Sequence, residues 1–281
     1  MLIRILTGIV GIALWAYIIQ TGGWLFSAVA LLLSLIGWHE YSRAFVNKGI
    51  STAYLSGMLG LAVLWYCGRT ASGEILMAAA TGIVLAILLL TVLLHGTVHV
   101  RDACVSIAGV FYLGLPFLYL ARLRFLEGTP IPTPLGEMGT GCALVWVMFI
   151  GTWASDSFAY FVGSAIGRHK LCPSISPKKT VEGFLGSIVG TMASVAAAGH
   201  LFFGLPLLQM VLLGLLVSIF ATLGDLVESV LKRYVGIKDS GALFPGHGGV
   251  LDRFDSVLYT APLVYFFMVY GAPHLPSLMG R

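Results

Sequence analysis

The sequence predicts an all-α, polytopic integral membrane protein with about nine transmembrane helices. Hydrophobic residues make up 58% of the 281 residues, and charged residues make up only 10%. A soluble domain carries about 25% charged residues, so this chain has too little polar surface to cover itself in water. Lipid must therefore be its main solvent, and the apolar segments must be arranged as membrane-spanning helices.

Nine segments approach the length of about 20 apolar residues that a spanning helix needs, although the second and third are short. The nine predicted spans are 2–20, 23–38, 53–68, 75–95, 103–121, 141–166, 184–203, 206–224 and 255–272. In the first span, Arg4 is followed by an apolar run to Ile19, a pattern that is also found in signal peptides. Because no clear small-residue cleavage site follows it, we interpret it as an uncleaved span.

The distribution of Lys and Arg predicts the orientation of these spans, because cytoplasmic loops are enriched in both residues. A cytoplasmic N-terminus places twelve of them inside: Arg4, Arg43, Lys48, Arg101, Arg168, Lys170, Lys178, Lys179, Lys232, Arg233, Lys238 and Arg253. The other four, which complete the sixteen, fall outside: Arg69, Arg122, Arg124 and Arg281. We therefore expect a protein of the inner or plasma membrane whose N-terminus and C-terminal polar loops are cytoplasmic.

The two parts of the chain differ in chemistry. Residues 1–140 form the predicted N-terminal membrane helices, with short and ordinary loops, and the Pro/Gly-rich segment 127–140 is expected to be an external loop. Residues 141–281 form the predicted catalytic part, because they hold nearly all of the unusual polar residues.

The four cysteines show no metal-binding spacing, and the net charge of +4 is not typical of a nucleic-acid-binding protein.

The most unusual polar segment is 224–256, which is flanked by apolar spans. Its first part should continue the eighth helix, so that Asp225, Ser229 and Lys232 lie on one face. Charge at the end of a membrane helix is costly unless it is paired or faces water. A functional cluster and a solvated helix end with local salt bridges are both compatible with this segment.

A glycine-rich loop follows, with His247 beside Gly248 and Gly249. Glycines permit tight turns and close approach of a ligand to the backbone, whose N–H groups can bind phosphate. His247 by itself is weak evidence, because histidines are common in loops.

Asp252 and Asp255 flank Arg253 shortly afterwards. Since Mg²⁺ is usually bound by one or two carboxylates together with substrate phosphates, Asp225 and Asp252 are the candidate metal ligands.

The segment SPKKTVEG, residues 176–183, forms a second cluster just before the seventh span. Its candidate substrate-binding residues are Ser176, Lys178, Lys179, Thr180 and Glu182. A helix N-terminus attracts phosphate, and lysines there would strengthen the attraction. The alternative is that the lysines anchor the helix to anionic lipid.

Asp156 lies inside the sixth span, with Tyr160 four residues later. A carboxylate within a membrane helix is costly and indicates a functional site, although a structural ion pair with a lysine is the alternative.

Together, the three clusters indicate metal-assisted phosphoryl or nucleotidyl transfer, in which positioning and neutralisation of charge supply most of the catalysis.

The residues from Ser229 to Asp255 form one dense pattern: Ser229-x2-Lys232-Arg233-x4-Lys238-Asp239-x-Gly241-x2-Phe244-Pro245-x-His247-Gly248-Gly249-x2-Asp252-Arg253-x-Asp255. This pattern resembles the signature of the phosphatidate cytidylyltransferase (CDP-diacylglycerol synthase) family, and every fixed position is filled. The upstream segments SPKKTVEG and DSFAYFVG, the number of predicted spans and the chain length also resemble that family.

The resemblance implies a nine-helix membrane enzyme with a polar cavity that opens to the cytoplasm and to lipid. It implies that Asp225 and Asp252 bind Mg²⁺, and it leaves room for a second cation. The substrates would be CTP and phosphatidate, the surroundings membrane lipid, and no nucleic acid is expected; a homodimer is compatible with it. The expected catalytic residues are Asp225, Ser229, Lys232, Arg233, Lys238, Asp239, His247, Asp252, Arg253 and Asp255, and the expected substrate-binding residues also include Asp156, Gly248 and Gly249.

Two other functions are compatible with intramembrane charge. A CTP-dependent polyprenol kinase would phosphorylate an alcohol and would need a general base. A transporter commonly shows inverted repeats with interrupted helices in both halves, whereas here the polar residues are confined to one half.

Overall fold

The computed structural model describes residues 2–133, 136–244 and 246–275. Pro245 of the dense pattern and Arg281, for which an external position is predicted, lie outside the described residues. Most described residues are helical, and the strands are only three to five residues long. The all-α prediction is therefore confirmed.

Ten α-helices carry most of the fold. They are α1 (Leu2–Thr21), α2 (Gly23–Val46), α3 (Tyr54–Thr70), α4 (Gly73–Leu93), α5 (Val100–Arg124), α6 (Thr140–Ile166), α7 (Val181–Ala196), α8 (Leu207–Val235), α9 (Leu251–Phe254) and α10 (Val257–Phe266). Helix α7 continues as a π-helical segment over Ala197–Phe202, and α10 continues similarly over Phe267–Gly271. Each predicted span overlaps a helix, although several helix ends differ from the predicted bounds.

Within the described residues, six helical segments are long and apolar enough to cross a membrane. They are Gly23–Val46, Gly73–Leu93, Val100–Arg124, Thr140–Ile166, Val181–Phe202 and Leu207–Val235. Helix α3 has only 17 residues and α10 only 10, which is short for about 30 Å of hydrocarbon at 1.5 Å per residue. The protein is thus polytopic, while the count of about nine spans stays a prediction.

Two short antiparallel hairpins lie in the connections between helices. Strand β1 (Ile131–Thr133) pairs with β2 (Gly136–Met138), and β3 (Lys170–Cys172) pairs with β4 (Ser176–Thr180). The segment SPKKTVEG is therefore a strand followed by the start of α7. Neither hairpin was expected from the sequence, because three-residue strands show no clear alternation of apolar and polar residues.

The chain groups into two compact units. The first unit comprises the residues up to Ala121 together with Leu231–Phe254, and the second comprises Arg122–Val230 together with the residues from Asp255 onward. The predicted division of the chain near residue 140 is based on where the unusual polar residues occur, whereas these two units are defined by packing. That division stays a prediction.

The core of the first unit is aromatic and aliphatic. Trp38 is fully buried, and its indole N–H donates to the carbonyl of Tyr54 at 3.0 Å. Gly57 and Gly109 both lie against the Trp38 ring, where a Cβ would collide with it. The helices α2, α3 and α5 can therefore approach each other around one large side chain.

The second unit depends on small residues between α6, α7 and α8. A Cβ at Gly183 would lie 2.7 Å from the carbonyl oxygen of Ala159 on α6, so only glycine permits this approach. Deeper in the unit, the hydroxyl of Ser187 contacts those of Ser155 at 2.8 Å and Ser218 at 3.1 Å. These buried contacts link three helices, and the cavity described below is formed by residues of the same helices.

Candidate active site

The second unit contains a cavity of about 430 Å³. Its lining brings together five of the residues predicted from sequence: Asp156, Lys178, Lys179, Thr180 and Asp225. These residues come from α6, from β4 and from α8. The fold thus places two carboxylates and two ammonium groups around one opening, although they are up to 69 positions apart in the chain.

An ion pair joins Lys179 and Asp225 in this cavity. The Lys179 Nζ lies 2.6 Å from Asp225 Oδ2, and the two side chains are 23% and 30% exposed. The other carboxylate oxygen, Asp225 Oδ1, accepts a hydrogen bond from the Ser229 hydroxyl at 3.2 Å. Ser229 lies one helical turn after Asp225, so the predicted continuation of the eighth helix through this segment is confirmed.

Thr180 has a structural role at the edge of the cavity. It is the N-cap of α7, and its hydroxyl accepts a hydrogen bond from the Gly183 N–H at 3.1 Å. A side-chain oxygen at this position satisfies one of the free N–H groups of the first helical turn. Gly163 and Gly167 on and after α6 leave space for this hydroxyl, so α6 and α7 meet at the cavity wall.

Glu182 and Ser176 do not line the cavity. The Glu182 carboxylate instead accepts hydrogen bonds from the N–H groups of Arg168 and His169, and it contacts His169 Nδ1 at 2.6 Å. It therefore holds the segment that joins α6 to β3. We infer a positioning role for Glu182, since its oxygens are already engaged with this loop.

In the first unit, Asp252 is the centre of a second polar cluster. Its Oδ1 lies 2.8 Å from Lys232 Nζ, and its side chain is only 5% exposed. Its Oδ2 accepts hydrogen bonds from the Gly249 N–H at 2.8 Å and from both the N–H and the hydroxyl of Ser240, at 2.7 and 2.8 Å. Burial alone would raise the pKa of Asp252, but these hydrogen bonds, that from Lys232 first, lower it to about 2.

The glycine-rich loop folds as a tight turn next to this cluster. Gly246 and Gly248 have positive φ, at 78° and 86°, a conformation that other residues rarely adopt. The Phe244 N–H donates to the carbonyl of Gly248 and closes the turn. The carbonyl of His247 accepts a hydrogen bond from Arg253 Nε at 2.7 Å. His247 therefore contributes its backbone to the structure of this loop.

The buried residue Glu40 was not expected from the sequence. It lies on α2, is 6% exposed, and accepts hydrogen bonds from the N–H groups of Val250 and Leu251, both at 3.0 Å. The Ser240 hydroxyl lies 3.3 Å from its Oε2. The sequence signal for it is a charged residue only two positions after the predicted second span, because a charge at the end of a membrane helix needs partners.

The remaining predicted residues lie outside these contacts. Arg233, Lys238 and Asp239 are exposed at and after the end of α8. Asp255 belongs to the second unit, and its Oδ1 accepts a hydrogen bond from the N–H of Ser256 at 2.7 Å. In the part of the chain that the structure describes, no three His, Cys, Asp or Glu residues are grouped as a protein-only metal site.

Comparison with known proteins identifies the family of this chain. The model of the cytidylyltransferase family matches residues 2–271. The chain is 37% identical to a phosphatidate cytidylyltransferase of a Synechocystis species, over 98% of this chain and 99% of the relative. It is 35% identical to the phosphatidate cytidylyltransferase of Bacillus subtilis, over 94% and 96% of the two chains. The corresponding protein of Staphylococcus haemolyticus is 32% identical, over 96% and 99%. Because the family model matches nearly the whole length of the chain, this chain belongs to the cytidylyltransferase family.

Proposed function

We propose that this chain is a membrane nucleotidyltransferase that condenses CTP with phosphatidate to give CDP-diacylglycerol and pyrophosphate. The observation that carries the proposal is the cavity in the second unit, where Lys178, Lys179, Asp156 and Asp225 surround one opening. The names of the relatives support the identity of the two substrates. The long apolar helices support a lipid as one of them.

The reaction joins two anions, so repulsion between them is the main obstacle. A phosphate oxygen of phosphatidate attacks the α-phosphorus of CTP, and a new phosphorus–oxygen bond forms. The bond from the α-phosphorus to the oxygen that bridges it to the β-phosphorus breaks, and pyrophosphate leaves with the electron pair. Phosphatidate is already anionic at neutral pH, so a strong general base is unnecessary.

The lysines of β4 are suited to reduce this repulsion. Lys178 and Lys179 both line the cavity, and an ammonium group close to a phosphate interacts more strongly in a protein than in water. Lys179 is held by Asp225 at 2.6 Å, so its charge is positioned before a substrate binds. Preorganised charge of this kind needs no rearrangement during the reaction.

Mg²⁺ is the proposed cofactor, with Asp225 and Asp252 as its ligands. Asp225 fits this role, because it faces the cavity and is 30% exposed. Asp252 fits it through Oδ1, from which the Lys232 ammonium must move, since Oδ2 already accepts three hydrogen bonds. When bound, Mg²⁺ neutralises charge on the nucleotide phosphates. One or two carboxylates are enough for Mg²⁺ when substrate phosphates supply further oxygens.

Product analysis with the detergent-solubilised full-length protein tests the proposal. The protein is incubated with labelled CTP and Mg²⁺ together with phosphatidate, with a polyprenol, or without lipid. We expect labelled CDP-diacylglycerol and pyrophosphate only in the presence of phosphatidate. Formation of CDP and a phosphorylated polyprenol would instead identify a CTP-dependent kinase, and a lack of any nucleotide turnover would contradict both enzyme functions.

A further inference from the structure

Glu40 is a buried acidic side chain of the first unit that the proposed reaction does not use directly. It is 6% exposed and lies in the C-terminal half of α2. Removing a carboxylate from water is unfavourable unless hydrogen bonds replace its hydration. The structure shows where these hydrogen bonds go, and all of the donors belong to residues 240–251.

Both oxygens of Glu40 bind the backbone just before Asp252. Oε1 accepts a hydrogen bond from the Val250 N–H and Oε2 accepts one from the Leu251 N–H, each at 3.0 Å. These two residues join the glycine-rich loop to the short helix α9. Two charge-assisted hydrogen bonds on adjacent N–H groups restrain both the position and the direction of this backbone.

The glycine-rich loop is shaped around the same carboxylate. A Cβ at Gly241 or at Gly249 would collide with the Glu40 carboxylate. At neither position is the backbone φ positive, so contact with Glu40, rather than backbone conformation, disfavours a side chain there. Two glycines separated by eight positions therefore approach one carboxylate from α2.

Ser240 connects this carboxylate to Asp252. Its hydroxyl lies 2.8 Å from Asp252 Oδ2 and 3.3 Å from Glu40 Oε2. A hydroxyl has one proton, so it donates mainly to the closer acceptor, Asp252. The Ser240 N–H also donates to Asp252 at 2.7 Å. Asp252 is thus held by the same backbone that Glu40 holds.

We infer that Glu40 is a positioning residue that fixes the backbone at Ser240, at Gly241 and at residues 249–251, and thereby the orientation of the Asp252 carboxylate. The inference rests on the proposed function, because it gives Asp252 a part in the reaction. Glu40 contributes no atom to the substrates. Its effect is to keep the Asp252 carboxylate in place. A displacement of about 1 Å of an active-site group can reduce the rate by about a hundredfold.

The test compares Glu40→Gln with Glu40→Asp in the full-length protein in detergent. Glutamine has the shape of glutamate, but its NH2 group would face one of the two N–H donors, whereas aspartate keeps the charge and two acceptors on a shorter side chain. If Glu40 only filled space, Glu40→Gln would retain more activity than Glu40→Asp. We expect the opposite order, with kcat reduced by about a hundredfold in Glu40→Gln and the KM for phosphatidate little changed.

Hydrogen exchange gives a readout that is independent of activity. In Glu40→Gln, amide exchange should accelerate in peptides that cover residues 240–251, and peptides from the second unit should exchange as in the wild type. Glu74→Gln is the matched control, because Glu74 is an exposed glutamate on α4 of the same unit. It should leave both exchange and turnover unchanged.

The outcomes separate this inference from the proposed function. A wild-type protein that makes no CDP-diacylglycerol would overturn the proposed function, and the exchange measurement would still test the contact. An active wild type, together with a Glu40→Gln variant that has normal turnover and exchange, would overturn only the role of Glu40. If Glu40 variants do not fold, Gly249→Ala perturbs the same contact from the loop; normal turnover and exchange in that variant would also overturn the inference.

Discussion

The Lys179–Asp225 pair is the feature of the cavity with the clearest consequence for catalysis. The two charged groups lie 2.6 Å apart and both side chains are partly exposed, so a ligand in the cavity can reach both of them. The ammonium would then face the phosphate, and the carboxylate would face the metal. Ion pairs close to the surface contribute little to stability, and the proposed function gives this pair a role in binding phosphate and metal instead.

Replacement of Lys179 tests this explanation. Lys179→Ala should reduce turnover per folded molecule by about a hundredfold or more, because it removes a positioned charge from the developing transition state. Lys170→Ala is the matched control, since Lys170 is an exposed lysine of the same hairpin that does not line the cavity. Initial rates with purified protein measure both effects. Equal rates in the two variants would mean that Lys179 only anchors the hairpin to lipid.

The proposed metal ligands predict a specific pattern of losses. Asp225→Asn and Asp252→Asn keep the size of the side chain but remove the charge that Mg²⁺ requires. Each should reduce the rate by about a thousandfold or more at ordinary Mg²⁺. The double variant should lose little more than either single variant, because ligands of one ion act as a unit.

Initial rates against Mg²⁺ concentration for the three variants measure this pattern. Glu137→Gln, an exposed carboxylate on β2, serves as the control and should behave like the wild type. A near-normal rate in either single variant would remove that aspartate from the metal site. Losses that multiply in the double variant would show that the two aspartates have different roles, and the shared-ion hypothesis would then be wrong.

At the residue level, the charged residues of the cavity could be predicted from the sequence, but the residues that hold the neighbouring backbone in place could not. Asp156, Lys178, Lys179 and Asp225 stand out as charges within or beside apolar segments, and the structure places them around one cavity. Glu40 and Ser240 could not be assigned from sequence alone. Their roles depend on a contact between residues about 200 positions apart, and no local pattern reports such a contact.

At the level of elements, the positions of the helices were predictable, but several of their ends were not. Helix α2 extends to Val46, although the predicted span ends at residue 38. The additional turns carry Glu40 and Arg43, and charges of this kind end a hydropathy segment even where the helix continues. The β3–β4 hairpin was missed for a different reason, since its strands have only three and five residues.

The close approach of α6 and α7 predicts the effect of a single methyl group. In Gly183→Ala, the new Cβ would lie 2.7 Å from the Ala159 carbonyl oxygen and 3.2 Å from Gly163 Cα. The helices must separate, at a cost of about 1–3 kcal/mol, and Ala159, Gly163 and Gly183 all line the cavity. We therefore expect a lower melting temperature in detergent and reduced turnover.

A second glycine provides the control for this substitution. Gly82 lies within α4, and beyond the adjoining backbone of that helix no heavy atom lies within 4 Å of a Cβ built there. Gly82→Ala should therefore leave turnover unchanged and should not lower the melting temperature, because alanine favours a helix more than glycine does. If Gly183→Ala behaved like Gly82→Ala in both measurements, the close packing of α6 on α7 would not shape the cavity.

At the scale of the whole molecule, the distribution of charge predicts which side of the membrane the proposed reaction faces. Twelve of the sixteen Lys and Arg residues are predicted to be cytoplasmic, and CTP is supplied from that side in the proposed function. The lipid substrate would enter laterally from the inner leaflet. An opposite orientation would put the cavity where no nucleotide is supplied, so the topology and the function can be tested together.

Cysteine labelling tests the orientation directly. The native cysteines, Cys67, Cys104, Cys142 and Cys172, form no disulfide in the described part of the chain, so they are first replaced by alanine or serine. Single cysteines are then introduced by Lys178→Cys, Lys238→Cys and Arg253→Cys, at three exposed positions. A membrane-impermeant maleimide should label all three in inside-out vesicles and none in intact cells, because a positive-inside arrangement places these loops in the cytoplasm.

Glu137→Cys is the reference for the opposite side. It lies on β2, within the segment 127–140 that is predicted to be external, and it should be labelled in intact cells only. Since labelling depends on exposure and not on turnover, variants that lose activity still report their location. If the position-178, position-238 and position-253 cysteines were labelled from outside, the nine-span topology would be wrong. Helix α6 is the candidate span between residues 137 and 178, so the two positions should lie on opposite sides of the membrane. Labelling of position 137 from the same side as the other three would therefore mean that α6 does not cross the membrane.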